Sequence, residues 1–148
     1  MLDQDPAVVD FSVGPHGKPR VEGLFFNVSH SADLWACALS KDVDVGFDVE
    51  VIEYGSQALA KRYFSVDEQV WMSQGDEPER FAQIWSGKEA ALKLRGERLL
   101  EGLVQYSLHF DQQECIGISD NKGAFLTMTR CEVGPGYVAS LCTDCPVS

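Results

Sequence analysis

The stretch DVDVGFDVEVIE, residues 42 to 53, alternates Val43, Val45, Phe47, Val49 and Val51 with Asp42, Asp44, Gly46, Asp48 and Glu50. A period of two defines a β-strand and sends the valines and phenylalanine to one face and the acids to the other. Asp48 and Glu50 then lie about 6.6 Å apart along the strand. At an effective dielectric near 20 they repel by roughly 2.5 kcal/mol. Two arrangements make such a face tolerable. Water can wet it, as on the outer face of an antiparallel sheet. Alternatively both carboxylates hold a cation, which calls for a third acid and an anionic ligand from elsewhere in the chain.

The remaining pattern places that strand in an α+β fold. Candidate strands VVDFSV, LFFNVSH and LWACALS precede it, punctuated by turns at GPHGKP and SKDVD. Ser65-Val66-Asp67-Glu68 has the spacing of a capping box and predicts a short helix to about Gln74. A second helix is expected over 77–95, with Asp76, Pro78 and Glu79 at its start and Lys93, Arg95 and Gly96 at its end. Short β-type runs follow at YSLHF, CIGIS, FLTMTRCEV and YVASLCT. That succession predicts an antiparallel sheet packed on the long helix.

Charge and length narrow the function classes. The 148 residues suit one domain, and 12 basic against 23 acidic residues give a formal charge of −11. Generic nucleic-acid or anionic-membrane binding is therefore not expected. MLDQDPAVVD has no signal-peptide pattern and no window reads as a membrane span, so the expected location is the cytoplasm. Five cysteines are scattered without a framework and read as reduced; Cys142 and Cys145 have the spacing of half a zinc site, with no second half to complete it.

On the long helix, Phe81, Ile84, Trp85, Lys88, Glu89, Leu92 and Lys93 recur at spacings of three and four and share a face. An apolar stripe carrying Lys88, Glu89 and Lys93 has two readings. Glu89 and Lys93 can form a boundary ion pair at i, i+4. Or Glu89 is the third carboxylate and Lys93 a cation aimed at a phosphate, the set suiting a hard ion such as Mg²⁺. Gly14 and Gly17 allow close backbone approach beside Lys18 and Pro19, or simply make a turn. Ser29 and His30 close an apolar strand with donors for a phosphate.

Taken in order, GKP at 17 to 19, FNVSHS at 26 to 31, GFDVE at 46 to 50 and WSGKEAALK at 85 to 93 resemble the 4′-phosphopantetheinyl transferases, the surfactin-synthetase-activating type most nearly. The resemblance implies a fold of two pseudo-symmetric lobes, the N-terminal one incomplete here: a partial lobe over 1–45 and a C-terminal lobe over 46–148. It implies Mg²⁺-dependent transfer of 4′-phosphopantetheine from coenzyme A to a serine of an acyl or peptidyl carrier protein, releasing 3′,5′-ADP. By the same resemblance Asp48, Glu50 and Glu89 hold the metal, Glu89 and Lys93 are catalytic, and Lys18, Pro19, Ser29, His30 and Lys93 contact the coenzyme. An acidic carrier would dock on local basic groups such as Lys61, Arg62, Arg95 or Arg98. Gly87 in mid-helix, Phe47 before the acid and the short N-terminal lobe depart from the family pattern. The last of these leads to an expectation of self-association through uncovered apolar residues. It also motivates an alternative, an inactive remnant that binds coenzyme A or a carrier without catalysis; a phosphohydrolase using the same acids leaves GKP and SHS without a role.

Overall fold

A computed structural model of the protein describes residues 5, 9–14, 17–97 and 100–144. Two hairpins open the chain. Strand β1 (Phe11–Val13) pairs with β2 (Pro19–Val21), and β3 (Phe25–Ser31) with β4 (Leu34–Ser40), both antiparallel. Then β5 (Gly46–Val51) leads into helices α1 (Gln57–Tyr63), α2 (Val66–Ser73) and α3 (Glu77–Arg95), a 3-10 turn (Leu100–Gln105), and strands β6 (Tyr106–Asp111), β7 (Glu114–Asp120), β8 (Phe125–Cys131) and β9 (Tyr137–Thr143). The last five strands in the chain, β5 to β9, make one antiparallel sheet in the order β5-β9-β8-β7-β6.

The long helix starts and stops where its residues dictate. Asp76 caps α3 by accepting the Glu79 amide at 3.0 Å, and Gly96 ends it in the left-handed conformation. The Ser65 hydroxyl accepts the Glu68 amide while the Glu68 carboxylate accepts the Ser65 amide, closing the capping box of α2. Helix α1, strand β2 and the 3-10 turn were not expected. α1 is short and carries no acid in its first turn, and β2 is three residues beginning at a proline, so neither has much periodicity to read.

One face of the sheet packs on α3 through Ile84, Leu92, Leu108, Ile118, Leu126 and Cys142. The other face, at the β5 end, is covered by the β3–β4 hairpin: Phe47, Val49 and Ala139 pack against Leu34, Ala36 and Ala38. Of the two arrangements open for the acid face of β5, the wetted one is not realised, because Asp48 and Glu50 lie on the face toward α3 and Asp48 is only 3% exposed. Strand and helix approach closely here. A Cβ on Gly46 would stand 2.0 Å from the Ala90 carbonyl oxygen, and one on Gly87 would press on Met128 Sδ at 3.0 Å. The mid-helix glycine thus trades about 1 kcal/mol of helix propensity for contact with the sheet.

The hairpin also closes the exposed edge of the sheet. Along β3, every second side chain reaches β5: Asn27 Oδ1 accepts the Phe47 amide at 2.8 Å, Ser29 Oγ the Val49 amide at 3.0 Å, and Ser31 Oγ the Val51 amide at 2.9 Å. These amides face away from β9 and would otherwise be unpaired donors on an edge strand. Among the described residues no helix is long and apolar enough to cross a membrane.

Candidate active site

Asp48, Glu50, Glu89 and Lys93 meet where β5 passes under α3. Lys93 Nζ donates to Asp48 Oδ1 at 2.7 Å and to Ser29 Oγ at 3.2 Å, and Ser29 Oγ in turn donates to Asp48 Oδ1 at 3.1 Å. The i, i+4 pairing of Glu89 with Lys93 is therefore not formed; the lysine crosses to the strand instead. Asp48 Oδ2 is buried without a hydrogen-bond partner.

The electrostatics follow from crowding acids in a half-dry space. Burial, then the neighbouring charges of Asp48 and Glu89, push the Glu50 carboxyl up to about 9, with Lys93 pulling the other way. Burial and the Asp48 charge push Glu89 up to about 7, again opposed by Lys93. Burial also raises Asp48, against the pull of Lys93, of its contact with Glu50 and of the Ser29 hydroxyl.

The donor set fits a hard dication in its chemistry: oxygen ligands only, an orphaned carboxylate oxygen, and acids that raise one another's affinity for positive charge. The oxygens are not yet gathered about one point. Among the described residues no three His, Cys, Asp or Glu side chains stand ready to coordinate a metal. Lys93 takes the lone pair on Asp48 Oδ1 that a cation would compete for.

Two openings reach this cluster from different sides. A cleft of about 390 Å³ is lined by Lys18, Pro19, Asn27, Val28, Glu89 and Lys93, with Gly96 and Glu97 at the helix end. A smaller one of about 220 Å³ is walled by Tyr54, Leu59, Phe81 and Trp85, with Glu50 and Glu53 on it. Lys18, Pro19, Glu89 and Lys93 are thus brought to one cleft, Glu50 to the other, and Asp48 lies buried with Ser29.

Not every sequence candidate presents the group expected of it. Lys18 is 6% exposed, its ammonium held by Asp44 at 2.7 Å, the Val45 carbonyl at 3.0 Å and the Leu94 carbonyl at 3.4 Å. Ser29 and His30 fall on opposite faces of β3. Ser29 is buried on Asp48, and His30 is exposed and stacked on Trp35 at 4.3 Å between ring centroids. Lys88 leaves the Glu89 neighbourhood for a separate buried network. Its Nζ lies 2.8 Å from Glu68 Oε2 and donates to the Tyr63 carbonyl at 2.8 Å, while Glu68 Oε1 accepts the Leu108 amide at 2.8 Å. Of the basic groups suggested for docking, Lys61 and Arg62 are exposed at the end of α1, Arg95 pairs with Asp144 at 2.7 Å, and Arg98 lies outside the described residues. Asn27 and Ser31 were missed by sequence reasoning. Their spacing of two on either side of Ser29 is the signal that could have found them.

A family model described as the 4′-phosphopantetheinyl transferase superfamily matches residues 44–142. The chain belongs to that superfamily. Among relatives, the 4′-phosphopantetheinyl transferase psf-1 of Bacillus pumilus is 34% identical over 93% of this chain and 62% of its own length. The transferase Sfp of Bacillus subtilis (strain 168) is 33% identical over 96% of this chain and 66% of its own. The chain therefore spans somewhat less than two thirds of these relatives. The crystal structure of Thermotoga maritima holo-[acyl-carrier-protein] synthase superposes with a TM-score of 0.55 at 17% identity, covering 68% of this chain and 62% of that one, a likeness of fold. The superfamily and its α+β architecture, an antiparallel sheet on a long helix, are those the sequence pattern leads one to expect.

Proposed function

We propose that the protein transfers 4′-phosphopantetheine from coenzyme A to a serine of an acyl or peptidyl carrier protein. The observation that carries this reading is the buried Asp48–Lys93–Ser29 contact with Glu50 and Glu89 crowded beside it, on a chain of this superfamily. Two clefts, one lined by Glu89 and Lys93 and the other by Glu50, suit a reaction with two large substrates. In this reading the adenine nucleotide enters on the Lys18, Pro19 and Lys93 side, with His30 near its 3′-phosphate, and the acceptor serine approaches past Glu50 and Trp85. Residues 1–45 contribute a partial N-terminal lobe and 46–148 the C-terminal lobe.

Each residue has a task in the step. The serine Oγ forms a bond to the β-phosphorus as the bond from that phosphorus to 3′,5′-ADP breaks. Glu89, held near neutrality by its surroundings, accepts the serine proton. Lys93, already ordered by Asp48 and Ser29, offers its ammonium to the diphosphate and to the charge left on 3′,5′-ADP. Asp48, Glu50 and Glu89 would hold Mg²⁺, which when bound neutralises the diphosphate and polarises its phosphorus. Lys18, its ammonium spent on Asp44 and two carbonyls, shapes the cleft and holds β2 to the end of α3.

Mass spectrometry of an apo carrier protein incubated with coenzyme A, Mg²⁺ and this chain tests the proposal. The expected result is a mass gain of one phosphopantetheine on the carrier, abolished in Asp48→Ala and Glu89→Ala. Binding of coenzyme A with no gain on any carrier class would sink it.

A further inference from the structure

Strand β4 has a neighbour on one side only. It pairs with β3, and among the described residues no strand pairs with its other edge. The tight turn at Ala32 and Asp33, with Ala32 at a φ of 48°, makes Ser31 and Leu34 the hydrogen-bonded pair beside it. Alternation then turns the amides and carbonyls of Leu34, Ala36 and Ala38 toward β3, and those of Trp35, Cys37 and Leu39 away from it. Among the described residues no backbone hydrogen bond from a loop reaches these three. All three residues are exposed, so their free backbone groups lie at the surface.

Natural edge strands are blunted by charge, proline, a bulge or brevity. β4 has none of these. It reads LWACALS over seven residues without a charge or a proline, and its register with β3 is unbroken. The side chains at its outward positions are apolar, Trp35 being 69% and Leu39 49% exposed. Such an edge is a template for another strand, and this one is complementary to itself. Laid antiparallel on a second β4 in the register that overlaps all seven residues, Trp35 faces Leu39 of the second copy, Ala36 faces Ala38, and Cys37 faces Cys37. Trp35, Cys37 and Leu39 then exchange their free amides and carbonyls with the same three residues of the other copy, and each Trp35–Leu39 contact is an apolar cross-strand pair. An edge contact of this length removes roughly 800–1,000 Å² in total, the low end of interface sizes, which sets the expectation of a weak dimer.

We infer that two copies of this chain pair through β4, antiparallel about a two-fold axis at Cys37, joining their β3–β4 hairpins into one continuous sheet. Antiparallel pairing of one edge with itself is an isologous contact and closes at two copies. The inference stands independently of the transfer reaction, since it rests on the backbone and side chains of the hairpin alone.

Amide hydrogen exchange, followed by NMR on the intact chain at about 50 μM and about 1 mM, tests it over the range in which a weak dimer changes population. The Trp35, Cys37 and Leu39 amides should exchange about threefold or more slowly at the higher concentration, while those of Ala36 and Ala38, bonded to β3, stay protected at both. Cys37→Lys and Cys37→Asp should each sediment as a monomer, and an equimolar mixture of the two should associate, because the two-fold sets position 37 of one copy against position 37 of the other. Mixing would not restore association to variants that had merely misfolded. Exchange at the three outward amides that is independent of concentration would overturn the inference. So would a concentration dependence confined to amides elsewhere, or a mixture that stays monomeric; any of these would leave the β4 edge open to a strand of a different protein.

Discussion

Replacing Glu89 by Gln tests the crowding of the acids without invoking any ligand. In the folded chain Glu89 is raised from 4.5 to about 7, by burial first and the Asp48 charge second. A raised folded-state pKa contributes stability that is fully present below the unfolded value and lost as pH climbs through the folded one. In metal-free buffer, wild type should therefore lose stability relative to Glu89→Gln between pH 4.5 and about 7, the gap then holding level. At about 1.36 kcal/mol per unit, the ceiling is about 3 kcal/mol. Partial exposure of the carboxylate brings the expected gap to about 1–2 kcal/mol. Urea unfolding in EDTA at a series of pH values from 4 to 8 measures it. Adding Mg²⁺ should reverse the order, since a cation at one hundred times its dissociation constant stabilises the binding form by about 2.7 kcal/mol. A Glu89→Gln protein no more stable than wild type at pH 8 without metal would refute the electrostatic account of this site.

Lys88→Ala should destabilise by about 3–5 kcal/mol, because it strands the fully buried Glu68 carboxylate; chemical denaturation at pH 7 checks this. Asn27→Leu leaves the Phe47 amide unpaired at the sheet edge and should cost about 1–3 kcal/mol, with faster amide exchange at Phe47 than at Val49. The outer face of the β3–β4 hairpin carries Val28, Cys37, Leu39 and Trp35, the last 69% exposed, with Phe11 and Val13 of β1 exposed nearby. Concentration-dependent association is expected in sedimentation and should weaken in Trp35→Ser. Within the proposed reaction, His30→Ala should weaken coenzyme A roughly tenfold more than dephospho-coenzyme A by calorimetric titration, the lost contact being charge-assisted; equal losses would remove the 3′-phosphate from the role of His30.

The elements legible in the sequence were those with a strong local signal. α3 has an acid cap, an early proline and a terminal glycine, and its observed span, Glu77–Arg95, is the expected one. The meander β6–β9 shows through its β-branched and aromatic runs. What the sequence could not settle was partnership. Periodicity puts Asp48 and Glu50 on one face, but whether that face meets water or a helix depends on where α3 lands, some forty residues later in the chain. Likewise the spacing of Lys88, Glu89 and Lys93 fixes a shared face, yet Lys88 goes to Glu68 and Lys93 to Asp48, because those carboxylates lie buried within reach and Glu89 does not compete for either. Ser29 and His30, adjacent in sequence, are parted by the same alternation that defines the strand they occupy.

Asp48 is where local folding rules and burial conflict most sharply, and the surrounding residues are those that make the conflict tolerable. Gly46 lets the strand lie against the α3 backbone, which carries Lys93 to the carboxylate. Ser29 serves two purposes with one hydroxyl, accepting the Val49 amide at the open sheet edge and donating to Asp48. The neighbours of Ser29 on the same face, Asn27 and Ser31, repeat only the first of these. Had edge closure been the only requirement, an uncharged residue at 48 would meet it with less strain, and Lys93 would not need to be drawn across from the helix. One lysine and one hydroxyl nevertheless leave Asp48 Oδ2 unpaired and two further carboxylates raised beside it. A deficit of positive charge confined to one well-supported spot is the pattern of a site organised around what binds there, since natural sequences break local consistency chiefly where function requires it.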